Sequence, residues 1–428
     1  MSEKTSVRNK SMFIFDKGVM KKGILSIQHI VAMFGATVLV PMITGLNPAV
    51  ALFCAGIGTL LFHLVTKGKV PVFLGSSFAF IPVIGAVSSR FGDLRYAQGG
   101  IMAAGVMYLL FSLLVSIFGI ERIKTFFPPI VTGPMIIVIG LILSPTALEM
   151  ASTNWLVSII VVTTVIIVSV FGKGIFKIIP ILCGVLVGYL LSMILGIVDF
   201  TAIEQASYFT IPKFTLPKFD FDAIVIIAPI VLAVFMEHIG DITTNGAVVG
   251  KNFIKDPGLH RTLLGDGLAT LIAGFLGGPA NTTYGENTSV LAVTKNYDPS
   301  ILRISAVIAI ILSFIGKLGA ILQTIPVAVM GGVSLILFGM IASVGIRTLT
   351  NAEVDFSSNR NLIVASLILV IGIGTEILKT KQGLYTANGN QAFTGMIGIE
   401  ITDSVQIVGL SLAAIVGITI NKLLPENV

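Results

Sequence analysis

The segment "GGPANTTYGENTSVLAVTK", Gly277 to Lys295, sets Gly, Asn, Thr and Tyr around one carboxylate, Glu286, inside a chain that is otherwise apolar. A second segment breaks in the same way: "KVPVFLGSSFAFIPVIGAVSS", Lys69 to Ser89, puts Gly75 and Ser76 where a helix should be continuous. An unsatisfied backbone amide in hydrocarbon costs several kcal/mol, so irregular backbone at membrane depth must be buried in protein or line a cavity. Interrupted segments at matching places in two halves of a chain point to a binding site near the membrane midplane. Val70, Val72 and Phe73, and likewise Thr282, Thr283 and Tyr284, have extended-chain character. Each segment therefore reads as a short strand followed by a half-helix, with freed N–H groups near Phe78 and near Asn287 aimed at a ligand carbonyl.

The rest of the chain explains why depth matters. Its 428 residues are 55% hydrophobic and 11% charged, with mean hydropathy +0.99, whereas a soluble domain is about a quarter charged. Runs such as "WLVSIIVVTTVIIVSVFG" approach the roughly 20 residues that cross a bilayer, and such runs recur to the C-terminus. Hydropathy predicts about 14 crossings. The basic, polar "MSEKTSVRNKSMFIFDKGVMKK" has no apolar core or cleavage site, so it reads as a cytoplasmic tail and not a signal peptide. Cys54 and Cys183 lie in apolar runs, which argues against a disulfide framework or a thiolate metal site. The net charge of +6 does not imply nucleic acid. With both termini inside, about 20 of the 27 Lys and Arg fall on the cytoplasmic side of the cell membrane. About six, Arg90, Arg95, Lys213, Lys218, Lys379 and Lys381, fall outside, and Lys317 is left in a span.

The halves can be laid on each other. "LSIQHIVA" and "VFMEHIGD" share polar pairs at Gln28-His29 and Glu237-His238, and Gly75 matches Gly285 at nearly the same offset, roughly 210 positions. An odd number of spans per half forces opposite insertion of the two halves. The expected fold is an all-α integral membrane protein, about 14 spans as two inverted repeats of seven, with short strands in the third and tenth.

The eighth span, "APIVLAVFMEHIGDITTNGAVVG", carries Glu237, His238 and Asp241. Glu237 and Asp241 are one turn apart on one face, and His238 is turned about 100° away. A carboxylate at mid-membrane costs about 2.5 to 3.5 kcal/mol on insertion scales, so it marks a partner, a cavity or a proton path. An internal helix–helix hydrogen bond is the plainer alternative. Glu-His-x-x-Asp lacks the paired His of a zinc helix, so no metal is expected. No Walker A, GxSxG, HExxH or dinucleotide fingerprint stands in a supporting context, which argues against an ATP-driven pump or a membrane enzyme.

At this point "GENTSVLAVTK" resembles the signature of the nucleobase-ascorbate transporter (nucleobase-cation symporter 2) family: Glu, Gln or Pro, then Asn, ending in Thr and a basic residue. The resemblance extends through "QHIVAMFGATVLVP", "KVPVFLGSSFAF", "EHIGD", "KDPGLHR" and "IPVAVMGGVSLILFG". With Glu at the first signature position, the chain is most similar to the bacterial uracil permeases within that family. The resemblance implies a core domain of spans 1–4 and 8–11 (residues 23–120 and 222–323) and a gate domain of spans 5–7 and 12–14 (residues 121–200 and 324–423). The remainder is an N-terminal tail (1–22), an extracytoplasmic loop (201–221) and a C-terminal tail (424–428). It also implies a homodimer through the gate domains.

The family's substrate carboxylates fall on Glu237 and Glu286 and its backbone donors on Phe78 and Gly285, with Tyr284 and Asn287 in the same motif and Gly75 and Ser76 supporting the broken third span. Two positions depart from the family pattern. Ser289 stands where the signature usually has Gly, which predicts a tighter cavity or altered helix packing. Where the best-known uracil permease has a His one turn after the eighth-span Glu, this chain has Asp241.

Uracil offers carbonyl, N–H and carbonyl along one edge and a second N–H nearby. Carboxylates accept from such N–H groups, and half-helix N–H groups donate to the carbonyls. Phe78, Phe80 and Tyr284 are candidates for an apolar wall. Desolvation beside a second carboxylate disfavours two negative charges. Glu237, assisted by Asp241 and with His29 as a relay candidate, is therefore expected to take a proton with the substrate outside and release it inside. The proton is the coupling ion, and no cofactor is expected. A purine symporter of the same family is the main alternative, and an anion exchanger of the same overall fold is less favoured because two carboxylates repel an anion. A channel would need a continuous polar pore. The segment "KTKQGLYTANGNQAFTGMIGIEITD" reads as an outer loop.

Overall fold

Helix boundaries follow from residues that cap or break them. The computed structural model describes residues 17–119, 121–122, 125–174, 176, 179–387, 399–402, 405–407 and 409–425. Most of the predicted N-terminal tail and the end of the C-terminal tail lie outside these residues. After α1 (Lys17–Thr44), the Asn47 side chain accepts from the Ala49 and Val50 amides and opens α2 (Pro48–Val65). Proline at the first helical position sacrifices no hydrogen bond there. Strand β1 (Leu74–Ser76) leads into α3 (Phe78–Phe91), which stops at Gly92 with φ 64°. Then come α4 (Leu94–Phe118), α5 (Pro129–Ser152), α6 (Trp155–Phe171) and α7 (Pro180–Ile194).

A segment with one short helix, Thr201–Gln205, returns the chain to α8 (Phe221–Val249), followed by α9 (Leu259–Leu276). Strand β2 (Asn281–Thr283), α10 (Gly285–Thr294) and α11 (Pro299–Ser313) come next, then a short helix, Gly316–Gln323. The chain finishes with α12 (Val327–Asn351), α13 (Asn359–Ala387), the strands β3 (Ile399–Thr402) and β4 (Val405–Ile407), and α14 (Gly409–Leu423). Among the described residues, six helices (α1, α2, α4, α5, α8 and α12) are long and apolar enough to cross a membrane, and α3, α6, α7, α11, α14 and the Asn359–Thr375 part of α13 are shorter apolar helices. The chain is a mostly helical, multi-pass membrane protein.

Small residues let the helices meet backbone to backbone, the usual means of packing where lipid removes the hydrophobic drive. A side-chain carbon at Gly105 of α4 would lie 2.8 Å from the Leu271 amide of α9, and one at Gly345 of α12 would lie 2.6 Å from the Gly133 carbonyl of α5.

The two breaks meet. β1 and β2 pair antiparallel, Leu74 opposite Thr283, Gly75 opposite Thr282 and Ser76 opposite Asn281. Just beyond the strands, the Ser77 amide donates to the Ala280 carbonyl at 2.8 Å and the Tyr284 amide donates to the Phe73 carbonyl at 3.0 Å. Ser77 and Tyr284 are 207 positions apart, as are Phe73 and Ala280, so one bond maps onto the other.

This geometry corrects the sequence alignment. Gly75 sits inside its strand and Gly285 at the first residue of its helix, so they are not equivalent. The counterpart of Gly285 is Phe78, which opens the helix after β1. The second half-helix likewise begins at Gly285, two residues before the predicted Asn287. The segment read as an outer loop is helical through Ala387 and ends in the β3–β4 pair, with residues 388–398 outside the described set. Lys317 is not stranded in a span: it lies in the short helix Gly316–Gln323 and donates to the Ile203 carbonyl.

Candidate functional site

Hydroxyls and amides from neighbouring helices satisfy the backbone at the two breaks, as irregular backbone at this depth requires. Thr59 of α2 accepts from the Leu74 amide at 2.9 Å, and Thr270 of α9 accepts from the Asn281 amide at 3.2 Å. One hydroxyl thus receives the first amide of each strand. His63 Nε2 donates to the Val72 carbonyl at 2.9 Å, and Ser76 Oγ donates to the Thr37 carbonyl at 2.8 Å. Asn245 Nδ2 of α8 reaches both the Pro71 carbonyl, at 3.0 Å, and Thr288 Oγ1 of α10, at 3.1 Å. Ser76 is fully buried and positions the strand.

Tyr284 locks the two breaks together. Its hydroxyl donates to the Ser76 carbonyl at 2.9 Å, and its ring occupies the space that a side chain at Gly75 would need. Glycine at 75 is therefore a packing requirement of Tyr284.

Against this frame lie the carboxylates. Glu237 and Asp241 of α8 and Glu286 of α10 are half-buried. A carbon added at Gly285 would lie 3.8 Å from Asp241 Oδ1, which brings the α8 carboxylate over the α10 N-terminus. Glu237 Oε2 is buried with no hydrogen-bond partner. A buried acceptor without a donor is costly, and here it is suited to an N–H donor supplied from outside the chain.

Asp266 of α9 is the residue that the sequence-derived site lacks. His238 is fully buried; its Nδ1 lies 2.8 Å from Asp266 Oδ2 and its Nε2 lies 2.9 Å from Thr262 Oγ1. Thr262 Oγ1 also lies 3.0 Å from the Leu259 carbonyl, to which it can donate. The His238 ring and the Asp266 carboxyl therefore form a fully buried hydrogen-bonded pair. The sequence signal was present, since Asp266 is an isolated carboxylate inside the small and apolar run "LLGDGLATLIAGFLGG".

Asn287 is buried and its Nδ2 lies 3.0 Å from the His29 carbonyl and 3.1 Å from His29 Nδ1, tying α10 to α1. Ser289 is exposed, and among the described residues its hydroxyl donates back to the Gly285 carbonyl, at 3.4 Å. Phe78 meets Phe338 of α12 edge-on at 5.9 Å between centroids. Phe80 is fully buried in a different apolar cluster from the one that holds Phe78 and Tyr284, so it forms no wall with them. Among the described residues, no group of three or more His, Cys, Asp or Glu could hold a metal ion.

The family model described as "Permease family" (Xan_ur_permease) matches residues 20–380. This chain belongs to that permease family. It is 43% identical over 417 residues to the uracil permease of Bacillus caldolyticus, covering 94% of this chain and 91% of that protein. It is 46% identical over 370 residues to the uracil permease of Paenibacillus larvae subsp. larvae, covering 83% and 87%. The fold is similar to the transmembrane domain of the cyanobacterial bicarbonate transporter BicA, with TM-score 0.64 at 16% identity, over 85% of this permease and 98% of that chain. At that identity the likeness speaks to fold alone.

Proposed function

We propose that this permease is a uracil:proton symporter that carries uracil into the cell by alternating access. The observation that carries this reading is the joining of two half-helix starts, Phe78 and Gly285, through one strand pair, with Glu237, Glu286 and an unpartnered Glu237 oxygen beside them. Carboxylates for the uracil N–H groups and backbone N–H groups for its carbonyls match the ligand in number and kind. The names of the similar permeases point the same way.

The fourteen helices α1 to α14 are read as two inverted repeats of seven. The pair of bonds related by a constant offset of 207 positions supports that reading. In it α1–α4 and α8–α11 form the core domain, α5–α7 and α12–α14 the gate domain, and both termini are cytoplasmic in the cell membrane. Two copies associate through their gate domains. Glu237 and Asp241 hold the coupling proton, with His29 held by Asn287 as a relay.

Uptake of radiolabelled uracil into proteoliposomes, with xanthine and sulfate as competitors and an imposed pH gradient, tests this. Saturable uracil uptake driven by inside-alkaline pH is expected. Transport of xanthine in preference to uracil, or of no nucleobase, rejects the reading.

A further inference from the structure

The connection between α7 and α8 is not built as a loop for water. Residues 207–221 read "SYFTIPKFTLPKFDF", an aromatic and aliphatic run interleaved with two lysines and two prolines. Its backbone is fastened to helix ends at three places. The Thr210 amide donates to the Phe314 carbonyl just past α11, and the Gly316 amide donates to the Tyr208 carbonyl, both at 2.9 Å. The Thr215 amide donates to the Leu276 carbonyl at the end of α9, at 3.3 Å, and the Lys218 amide donates to the Arg95 carbonyl at the start of α4, at 2.9 Å. A glycine stands under each fastening: Gly316, Gly277 and Gly99 have no room for a side-chain carbon beside the Thr210 hydroxyl, the Thr215 hydroxyl and the Lys218 carbonyl. This strap therefore lies at the level where α4 and α8 begin and α9 and α11 end.

While its backbone is held by the helix ends, its apolar side chains are left uncovered. Tyr208, Phe209, Ile211, Leu216 and Phe219 are 61–83% exposed. So many large apolar groups on one short segment mark an interaction surface, since surfaces that face water rarely gather them. The apolar surface also continues along the chain in both directions, through exposed Ile194 at the end of α7 and exposed Phe221 at the start of α8. Lysines stand beside the rings. Lys317 Nζ lies 5.6 Å from the centre of the Tyr208 ring, and Lys218 Nζ lies 5.4 Å from that of Tyr96. Aromatic rings and lysines at the ends of membrane helices are the composition of the membrane–water interface, where rings sit at headgroup level and lysine stems run along apolar surface toward water. Irregular backbone is tolerated there when the protein satisfies its polar groups, as the helix ends do here.

We propose that residues 207–221 are an interfacial anchor: the strap lies in the headgroup and glycerol layer of the bilayer, with Tyr208, Phe209, Leu216 and Phe219 inserted among the lipids. Segments that lie in this layer bury their apolar face about 5–10 Å into the boundary between headgroups and acyl chains. That depth takes up a ring without requiring a helix. Because the strap is fastened to α4, α9 and the residues that follow α11, it sets the depth at which those elements meet the bilayer. The connection from α7 to α8 is then a seated element and not a free tether. The anchor requires only a multi-pass membrane protein, so it stands or falls apart from the proposed uracil transport.

The test uses the full chain in phosphatidylcholine vesicles. Trp155, the single tryptophan of the chain, is removed by Trp155→Phe, and Phe209→Trp, Leu216→Trp and Phe219→Trp are made one at a time in that background. A reporter that lowers the melting temperature is set aside for the other two. Fluorescence quenching is measured with lipids brominated near the glycerol end of the acyl chains, with lipids brominated near the methyl end, and with iodide on both sides of the membrane. The shallow bromines are expected to quench roughly twofold or more better than the deep ones, as befits rings at headgroup level, and iodide is expected to quench weakly. Strong iodide quenching without quenching by either brominated lipid places the strap in water and overturns the anchor. Stronger quenching by the deep bromines makes it ordinary hydrocarbon-facing surface and also overturns it. Protection from all three quenchers means that a second copy or another protein covers the strap, which overturns lipid as its partner.

Discussion

The Tyr284 hydroxyl donates to the Ser76 carbonyl at 2.9 Å, across a strand pair in which Gly75 leaves room for the ring. The two interrupted segments are thereby held as one rigid unit. Tyr284→Phe leaves that buried carbonyl without its donor, at a cost of about 1–3 kcal/mol. A lower melting temperature in detergent is expected, together with weaker uracil binding. Gly75→Ala pushes the ring out of place and is expected to abolish uptake; unchanged uptake in Gly75→Ala contradicts the packing account.

Glu286→Gln and Glu237→Gln each replace a charged acceptor by a neutral amide. Hydrogen bonds to charged groups contribute about 1.5–3 kcal/mol, so uracil affinity is expected to fall roughly 10- to 100-fold in each, read by equilibrium binding to purified protein. Glu237→Gln is further expected to lose the dependence of uptake on the proton gradient. Normal coupled transport in that variant removes Glu237 from the proton path.

Ser289 is exposed and back-bonded within its own helix. Ser289→Gly, which restores the usual family residue, is therefore expected to leave uracil affinity and uptake close to wild type. The cost is the general one of glycine in a helix interior, about 0.5–1 kcal/mol, read as a small drop in thermal stability. A large change in specificity would place Ser289 in the ligand shell after all.

His238→Gln keeps a hydrogen-bonding side chain but cannot share a proton with Asp266. A buried carboxylate deprived of its partner costs about 3–5 kcal/mol, so a marked loss of folded protein is expected. Asp266→Asn is milder, because it removes the charge with the partner. Equal stability of His238→Gln and wild type refutes the paired arrangement.

At the end of the protein where α1 meets α11, Lys22 Nζ lies 2.7 Å from Asp298 and holds its carboxyl at about 2, below the usual carboxylate range. A depressed folded-state value stabilises above the unfolded pKa and loses that stabilisation as pH falls toward about 2. The pair is partly exposed, so its contribution is about 0.2–1 kcal/mol. Lys22→Met is expected to lower thermal stability slightly at pH 7 and not at pH 2.

Much of this protein is legible in one dimension. The apolar runs and scarce charges require a multi-pass membrane protein, because few other folds can hide so little polarity. The glycine- and hydroxyl-rich interruptions at Gly75 and Gly285 mark where the backbone leaves the helix, and isolated carboxylates at Glu237, Asp241 and Glu286 mark what gathers there. Those signals are local, since each is a residue type out of keeping with its neighbours. What they do not carry is pairing. That Gly285 answers Phe78 and not Gly75 follows from strand register, which depends on a partner more than two hundred residues away. That His238 faces Asp266 while Glu237 keeps a buried oxygen without a partner depends on how α8 is rotated against α9. That Tyr284 braces a carbonyl and Asn287 ties its helix to His29 depends on which surfaces meet and which stay apart. A sequence position constrains the rotation of a side chain about its own helix; the packing of helices against one another selects the neighbours it meets.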